Sequence, residues 1–178
     1  MGENHRFTLE WFPPNQWQFE SHLGNTAGEV RSILEIGCFE GQGTCWLLEN
    51  VATAPDARIT CIDPIEQPCF WSNIAASNGL EKVELKLGSS REILPTLRPG
   101  AYDFIFVDGD HSAIGALEDA VLSFRLAKVG GMIAFDDYKW KLGPDRPKPA
   151  VDAFLSIYRS KIKVLTKNYQ VWIRKIAD

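Results

Sequence analysis

The sequence predicts an α/β fold built on a mostly parallel, doubly wound sheet. Short apolar runs alternate with helical segments along the chain, which is typical of βαβ units. The first run, residues 33–36, is followed by a glycine-rich turn and by the start of a helix near Thr44. Two later runs end in acidic clusters that begin at Asp108 and Asp136. Because parallel strands present their carboxyl ends at one edge of a sheet, we expect the glycines and the acids to lie together there.

The composition indicates one domain and a small-molecule partner. The chain has 178 residues, of which 45% are hydrophobic, enough to bury a substantial core. Its formal net charge of −4 and its lack of a Lys/Arg-rich run argue against a nucleic-acid backbone as the main partner, although a basic face can lie within an acidic total. The four cysteines form no Cys-x-x-Cys pair, so buried thiols are expected rather than a disulfide framework or a zinc site. No run has the length of a signal peptide or a membrane span, which predicts a cytoplasmic protein.

The first thirty residues form a separate aromatic segment in this interpretation, and residues 31–178 form the main domain. The segment carries Trp11, Phe12, Trp17 and Phe19, and residues 15–23 can form a short helix. Two interpretations remain open: a helix packed on the edge of the core, or a flap whose aromatic side chains cover a ligand site. The aromatic residues also fit a contact in a homodimer.

The glycine turn distinguishes between two kinds of nucleotide-binding fold. A dinucleotide-binding fold requires Gly-x-Gly-x-x-Gly directly after the strand, whereas Glu35, Gly37, Gly41 and Gly43 form the pattern Glu-x-Gly-x-x-x-Gly-x-Gly. This pattern resembles motif I of the class I S-adenosylmethionine-dependent methyltransferases, in which the acid precedes the first glycine. Phe39 stands where many members have a further glycine, and the catechol-like O-methyltransferases carry an aromatic residue there. The register disfavours a nicotinamide oxidoreductase.

Two acids near the turn are candidates for ligand contacts. Glu35 lies inside an apolar strand, where a carboxylate is costly unless it receives hydrogen bonds, so we expect it to face a ligand or a backbone amine. Asp63 ends the second strand, residues 58–62. It lies about 20 residues after the glycine turn, where nucleotide folds use a carboxylate to accept hydrogen bonds from both hydroxyls of a ribose. The alternative for Asp63 is an Asp-Pro turn without a ligand.

The rest of the chain continues the alternation. Further strands are predicted at residues 83–87, 102–107, 132–135, 162–165 and 169–173, and helices at residues 43–54, 67–78, 117–127 and 150–159. The last two strands are separated by a tight turn, which indicates a hairpin. Class I methyltransferases close their sheet with such a reversed last strand. The resemblance therefore covers residues 30–176 and implies a Rossmann-like sheet of seven strands, with the loop at residues 139–149 shaping a substrate pocket.

The resemblance also implies S-adenosylmethionine as the cofactor. Ser90 and Arg91 correspond to residues that the catechol-like enzymes place beside the adenine ring, although on their own they indicate only a helix cap. The full set of implied cofactor contacts is Glu35, Gly37, Phe39, Gly41, Gly43, Thr44, Asp63, Ser89, Ser90, Arg91 and Asp108.

Four aspartates, Asp108, Asp110, Asp136 and Asp137, are expected to converge at one edge of the sheet. Carboxylates at close range repel one another and therefore hold a proton or bind a cation. A set of oxygen ligands suits Mg²⁺ better than zinc. The order of these acids resembles the metal site of the metal-dependent O-methyltransferases, in both the catechol-like branch and the branch that methylates antibiotic sugars. The resemblance assigns Asp108, Asp136 and Asp137 to the metal.

The resemblance offers two catalytic bases. Asp110 aligns with the general base of the sugar-modifying branch, and His111 lies where the catechol-like branch has its catalytic lysine. The ordinary pKa of histidine suits proton removal near neutral pH, whereas the branch resemblance favours Asp110. An alternative is that His111 only caps the next helix and that the metal site is vestigial.

These features predict an S-adenosylmethionine-dependent methyltransferase that methylates a hydroxyl of a small molecule with the help of a divalent metal such as Mg²⁺. One alternative is a metal-independent methyltransferase that acts on another acceptor. A second alternative is a nucleotide-binding domain without catalytic activity.

Overall fold

The computed structural model describes residues 4–141 and 145–178, and its strands form one sheet in the order β3-β2-β1-β4-β5-β7-β6. The strands are β1 (Ser32–Ile36), β2 (Arg58–Asp63), β3 (Val83–Leu87), β4 (Tyr102–Val107), β5 (Ala127–Phe135), β6 (Ile162–Lys167) and β7 (Val171–Lys175). The helices are α1 (Gln16–Leu23), α2 (Gln42–Asn50), α3 (Phe70–Ala76), α4 (Ser90–Ile93), α5 (Ala113–Leu126) and α6 (Pro147–Ile157). Within the described residues, no helix is long and apolar enough to cross a membrane.

The sheet is parallel from β3 to β5, and β7 runs antiparallel to both of its neighbours. From β1 the chain builds outward through β2 and β3, and it then returns to pair β4 with the other side of β1. This reversal leaves a crevice between the carboxyl ends of β1 and β4, the place where open α/β sheets bind ligands. The predicted Rossmann-like sheet of seven strands with a reversed last strand is confirmed.

Strand β1 lies at the centre of the sheet and is buried on both faces. Ile33 packs into a cluster with Phe19 of α1, whereas Leu34 packs on the other face with Phe124 of α5 and Phe154 of α6. Burial of one such aliphatic side chain contributes about 1.5–3 kcal/mol. The two covered faces explain why this strand is an almost continuous apolar run.

Helix α1 packs on the core through Phe19, which is fully buried. The Phe19 ring meets the rings of Phe104, Phe106 and Trp172 edge to face, with centroid distances of 6.1, 5.0 and 5.1 Å. The Trp172 ring in turn stacks on Phe104 at 5.4 Å. These contacts join α1 to strands β4 and β7.

Some element boundaries differ from the prediction for local reasons. Helix α5 begins at Ala113, earlier than predicted, because the Ser112 hydroxyl caps it by accepting a hydrogen bond from the Gly115 N–H at 3.0 Å. Helix α6 begins at Pro147, since the first turn of a helix tolerates proline. Of the predicted loop at residues 139–149, residues 142–144 lie outside the described part of the chain.

The cysteines are free thiols, as predicted from their spacing. Cys38, Cys45 and Cys61 are buried, and Cys69 is partly exposed.

Gly37 provides a test of the junction between β1 and β4. It has a φ of +82°, and a Cβ atom there would overlap the backbone carbonyl oxygen of Asp108. We expect Gly37→Ala to lower the free energy of unfolding by more than about 3 kcal/mol in urea titrations. Gly100→Ala is the control, because Gly100 has a φ of +61° and no atom within 4 Å of an added Cβ; strain alone should cost about 1–2 kcal/mol there. Equal losses in the two variants would contradict the close approach of the two strand ends.

Candidate active site

A cavity of about 1020 Å³ opens at the carboxyl edge of the sheet, above the crevice between β1 and β4. Its wall contains the glycine turn, the end of β2, the start of α4, the ends of β4 and β5, and part of the N-terminal segment. All the site residues predicted from the sequence line this cavity except Gly41 and Thr44. The two groups of predicted residues, for the cofactor and for the metal, therefore share one space.

The glycine turn depends on three positive φ angles. Gly37, Phe39 and Gly41 have φ values of +82°, +46° and +80°. Phe39 takes a conformation that favours glycine, which accounts for the glycine found there in many class I methyltransferases. Its backbone N–H donates a hydrogen bond to Asp63 Oδ2 at 2.8 Å, so the turn and the end of β2 hold each other.

Asp63 is 8% exposed and lines the cavity. Its second oxygen, Oδ1, accepts a hydrogen bond from the Ile65 N–H at 2.9 Å. Each carboxylate oxygen therefore has one backbone donor and retains a lone pair for a further donor. The two backbone bonds fix the carboxylate in an orientation that suits a ligand with two hydroxyls.

Glu35 is buried and lines the cavity, and its hydrogen-bond partners are side chains; of the two expected partners, a ligand or a backbone amine, the ligand stays a prediction. Glu35 Oε2 accepts hydrogen bonds from the Thr44 hydroxyl at 2.5 Å and from the Cys61 thiol at 3.9 Å. Gly43 leaves room for this carboxyl, because a Cβ at Gly43 would collide with Glu35 Oε1. Burial raises the pKa of Glu35 to about 8, so the carboxyl holds a proton at neutral pH.

Ser89, Ser90 and Arg91 form the part of the cavity wall at the start of α4. The guanidinium of Arg91 is mostly exposed and pairs with Glu118 at 2.6 Å. Ser90 lies beside the carboxyl of Asp119, whose pKa burial raises to about 6.

Three side chains converge at the ends of β4 and β5, and we call them the acidic group: Asp108, His111 and Asp137. Each offers one ligand atom, and these atoms all lie within 4.8 Å of one another. His111 Nε2 lies 2.5 Å from Asp137 Oδ2 and 4.0 Å from Asp108 Oδ1. Burial and the charges of Asp136 and Asp137 raise the pKa of Asp108 well above its usual range. The hydrogen bond to Asp137 raises the pKa of His111.

Asp136 lines the cavity but lies outside the acidic group in this conformation. Its Oδ1 accepts a hydrogen bond from the Asp137 N–H at 2.7 Å, and its Oδ2 accepts one from Gln170 Nε2 at 3.1 Å. Burial and the neighbouring Asp137 raise the pKa of Asp136 to about 7.

Asp110 is directed to the start of α5. Its Oδ1 accepts a hydrogen bond from the Ser112 N–H at 2.8 Å, and its carboxyl lies against Gly115 where a Cβ would overlap it. Of the two candidate bases, His111 is thus the one whose side chain meets Asp108 and Asp137.

Three residues of the site were not identified from the sequence. The Tyr169 hydroxyl donates a hydrogen bond to Asp137 Oδ1 at 2.7 Å, and Gln170, which is buried, bonds Asp136. The ring of Trp140 lies 4.8 Å from that of His111. Tyr169 and Gln170 belong to the β6–β7 turn, whose position at the carboxyl edge was the only available signal.

The N-terminal residues before α1 form hydrogen bonds with side chains of the glycine turn and of the start of α2. Both Glu40 carboxylate oxygens accept hydrogen bonds from Thr8, one from its N–H and one from its hydroxyl, each at 2.7 Å. The Phe12 N–H donates to Gln42 Oε1 at 3.0 Å. Trp11, with 65% of its surface exposed, and Phe12 line the cavity. The helix thus packs on the core, and the residues before it border the cavity; their role as a flap over a ligand stays a prediction.

The raised pKa of Glu35 predicts a pH dependence of stability. A carboxyl whose pKa rises from 4.5 to about 8 contributes stability that is fully present below pH 4.5 and is lost as the pH rises through about 8. Between pH 6 and pH 9 the wild-type protein should lose roughly 3 kcal/mol of unfolding free energy relative to Glu35→Gln. Urea titrations at both pH values measure this difference, and Glu84→Gln, at an exposed glutamate of β3, is the control. Parallel pH profiles for the wild type and Glu35→Gln would rule out a buried, protonated Glu35.

Comparisons with known proteins agree with this geometry. A family model described as "Methyltransferase domain" matches residues 34–138, from β1 to the residue after Asp137. Tricin synthase 2 from Oryza sativa subsp. japonica is 29% identical over 145 residues, which cover 76% of this chain and 47% of that protein. Catechol O-methyltransferase from Mycobacterium tuberculosis is 29% identical over 112 residues, which cover 61% of this chain and 49% of that protein.

The fold also matches solved structures. The crystal structure of the O-methyltransferase TomG from Streptomyces achromogenes, in complex with SAM, has a TM-score of 0.69 at 24% identity, covering 83% of this chain and 74% of that one. The present chain spans about half the length of the two relatives named above. Because the family model covers more than half of the chain, including the glycine turn and both acidic clusters, the chain belongs to the methyltransferase domain family.

Proposed function

We propose that the chain is an S-adenosylmethionine-dependent methyltransferase that methylates a hydroxyl of a small molecule with the help of a divalent cation. The observation that carries this proposal is the single cavity that joins the glycine turn and Asp63 to the acidic group. A donor bound at the turn and an acceptor bound at the acidic group would meet in this space. Proximity of this kind supplies a large part of the acceleration of a group transfer.

Cofactor binding by the glycine side of the cavity has several supports. The backbone of the glycine turn lines the cavity. The Asp63 carboxylate, which two backbone N–H groups hold in place, suits the two hydroxyls of a ribose. Ser90 and Arg91 border the same space, as an adenine contact requires. S-adenosylmethionine supplies its methyl group on a sulfonium sulfur, which leaves readily.

The acidic group has the donor chemistry of a cation site. Asp108 and Asp137 offer hard oxygen ligands, and burial together with the nearby like charges raises the pKa of Asp108; a cation would offset both effects. The third ligand has two candidates: His111 in the present conformation, or Asp136 after rotation of its carboxyl away from Gln170. Three oxygen ligands favour Mg²⁺ or Mn²⁺, whereas an imidazole also suits Fe²⁺ or Zn²⁺.

The side chains around the acidic group have assignable roles in this proposal. A bound divalent cation would lower the pKa of an acceptor hydroxyl. Where Asp136 is the third ligand, His111 is the better candidate to accept the hydroxyl proton, because it faces the acidic group while Asp110 is held at α5. Tyr169 orients the carboxylate of Asp137, and Trp140 borders the imidazole of His111.

A reducing, cytoplasmic setting and a small-molecule acceptor belong to the same proposal. The free thiols support the first, and the net charge of −4 supports the second.

Calorimetric titration with S-adenosylhomocysteine tests the cofactor assignment. We expect micromolar binding by the wild type and a loss of at least about tenfold in Asp63→Ala, because the ribose would lose its acceptor. Glu66→Gln, an exposed charge change in the same loop, should bind within about twofold of the wild type. Failure of the wild type to bind, together with binding of NAD, would reject the assignment.

Metal dependence has its own test. Radiolabelled methyl transfer to a panel of polyhydroxylated compounds should stop on addition of EDTA and resume with Mg²⁺. Asp136→Ala should abolish turnover if Asp136 is the third ligand, and it should leave S-adenosylhomocysteine binding unchanged in either case. Mn²⁺ binding, followed by electron paramagnetic resonance, separates the two ligand sets: Asp136→Asn weakens it if Asp136 is the third ligand, and His111→Gln weakens it if the imidazole is. Turnover that is unaffected by EDTA would favour a metal-independent methyltransferase.

A further inference from the structure

Positive charge is concentrated in one segment of the chain. Residues 139–167 contain eight of the 19 Lys and Arg residues but only two of the 23 Asp and Glu residues, a formal net charge of +6 in a chain whose total is −4. The remaining residues therefore carry a formal charge of −10. The segment comprises the loop after β5, helix α6 and strand β6.

Three lysines of this segment meet at the carboxyl edge of the sheet, and we call them the lysine cluster: Lys139, Lys148 and Lys167. They come from the loop after β5, the first turn of α6 and the end of β6. The Nζ atoms of Lys148 and Lys167 lie over the Tyr138 ring, 4.8 and 5.0 Å from its centroid. Lys139 Nζ donates a hydrogen bond at 2.6 Å to the side-chain oxygen of Asn168, the residue after Lys167.

The lysine cluster is connected to the acidic group through a short stretch of backbone. Tyr138, over which two of the lysines lie, follows Asp137 in the chain, and its N–H donates to the Tyr169 carbonyl oxygen at 2.9 Å. The Tyr169 hydroxyl donates to Asp137. The same short stretch of backbone thus holds one carboxylate of the acidic group and the aromatic ring beneath the lysines.

The charges of the lysine cluster are not balanced. Among the described residues, Asp152 is the only carboxylate in ion-pair contact with the cluster, and it is shared by Lys148 at 2.6 Å and Lys167 at 2.8 Å. Partial burial opposes the ionisation of Asp152, but hydrogen bonds from both lysines and from Tyr138 lower its pKa to about 2. The partner of Lys139 is a neutral amide. Three ammonium groups and one carboxylate leave a net charge of +2, on side chains that are more than two-fifths exposed at Lys148 and Lys167.

We propose that the lysine cluster binds an anionic group of the phosphate class on the methyl acceptor, at a distance from the hydroxyl that is methylated. This inference rests on the proposed function and names its class of substrate. Lysine ammonium groups bind phosphate oxygens as point charges, and here their hydrogen bonds hold them in place before a ligand arrives. The proposed cation at Asp108 and Asp137 would hold the hydroxyl of such an acceptor, and the lysines would hold its anion.

The same charges argue against a nucleic acid as the partner. A phosphate polymer extends well beyond three lysines, and the remainder of this chain is strongly acidic. The acidic side chains of the rest of the protein would repel its phosphates. A compact acceptor with one anionic end avoids that repulsion.

Pyrophosphate is the probe for this site. It is titrated calorimetrically into the full, metal-stripped chain at low ionic strength, so that no cation bridges it to the acidic group. The test variant Lys139→Gln/Lys167→Gln removes two charges and keeps the Lys148–Asp152 pair. We expect it to bind pyrophosphate at least about tenfold more weakly than the wild type. The matched control Lys161→Gln/Lys163→Gln removes two charges at the opposite end of β6 and should stay within about twofold of the wild type.

Each outcome decides the inference. No binding by the wild type, or equal weakening in both double variants, would overturn it, because general attraction would then explain the data. Binding of a single-stranded oligonucleotide that only the test variant weakens, without pyrophosphate binding, would overturn it in favour of a nucleic-acid surface. S-adenosylhomocysteine binding and thermal unfolding should be unchanged in both double variants. If neither the wild type nor the two double variants bind S-adenosylhomocysteine, the proposed function is rejected. The pyrophosphate titrations then still test whether the lysine cluster binds an anion.

Discussion

The close approach of Gly37 to the backbone of Asp108 is the constraint on which the rest of the site depends. The Gly37 N–H donates to the Ile62 carbonyl oxygen, and the Asp108 N–H donates to the Ile36 carbonyl oxygen, each at 2.8 Å. These bonds tie the ends of β1, β2 and β4 together at the crevice. The distance between the glycine turn and the acidic group is therefore set by backbone, which is stiffer than any pair of side chains.

Apart from His111, which pairs with Asp137, the site holds its acids with neutral donors and protons. Glu35 has a hydroxyl and a thiol, Asp136 has an amide, and Asp137 has a phenol. In the described part of the chain, no Lys or Arg forms an ion pair with these acids or with Asp108. A lysine or arginine in this place would satisfy the carboxylates and leave them little affinity for a cation. Among the described residues, the lack of Lys and Arg partners for these carboxylates is thus consistent with a site that binds a cation from solution.

The fold was largely predictable because its signals are local. The apolar run that predicted a strand at residues 102–107 coincides with β4, Tyr102–Val107. The start of α5 was missed because it depends on one hydroxyl, that of Ser112, and because glycine weakens a helical pattern. Tyr169 was missed because spacing alone does not show which way a turn directs its side chains. The same limit applies to the metal ligands, since side-chain rotation decides whether His111 or Asp136 joins Asp108 and Asp137.

The hydrogen bonds between Thr8 and Glu40 connect the N-terminal residues to the loop that would hold the cofactor. Two events at one loop are thermodynamically linked, so any free energy that a bound ligand gains from the fastened segment equally opposes its opening. A ligand that binds more tightly when the segment is fastened would therefore also hold residues 8–12 in place against the glycine turn.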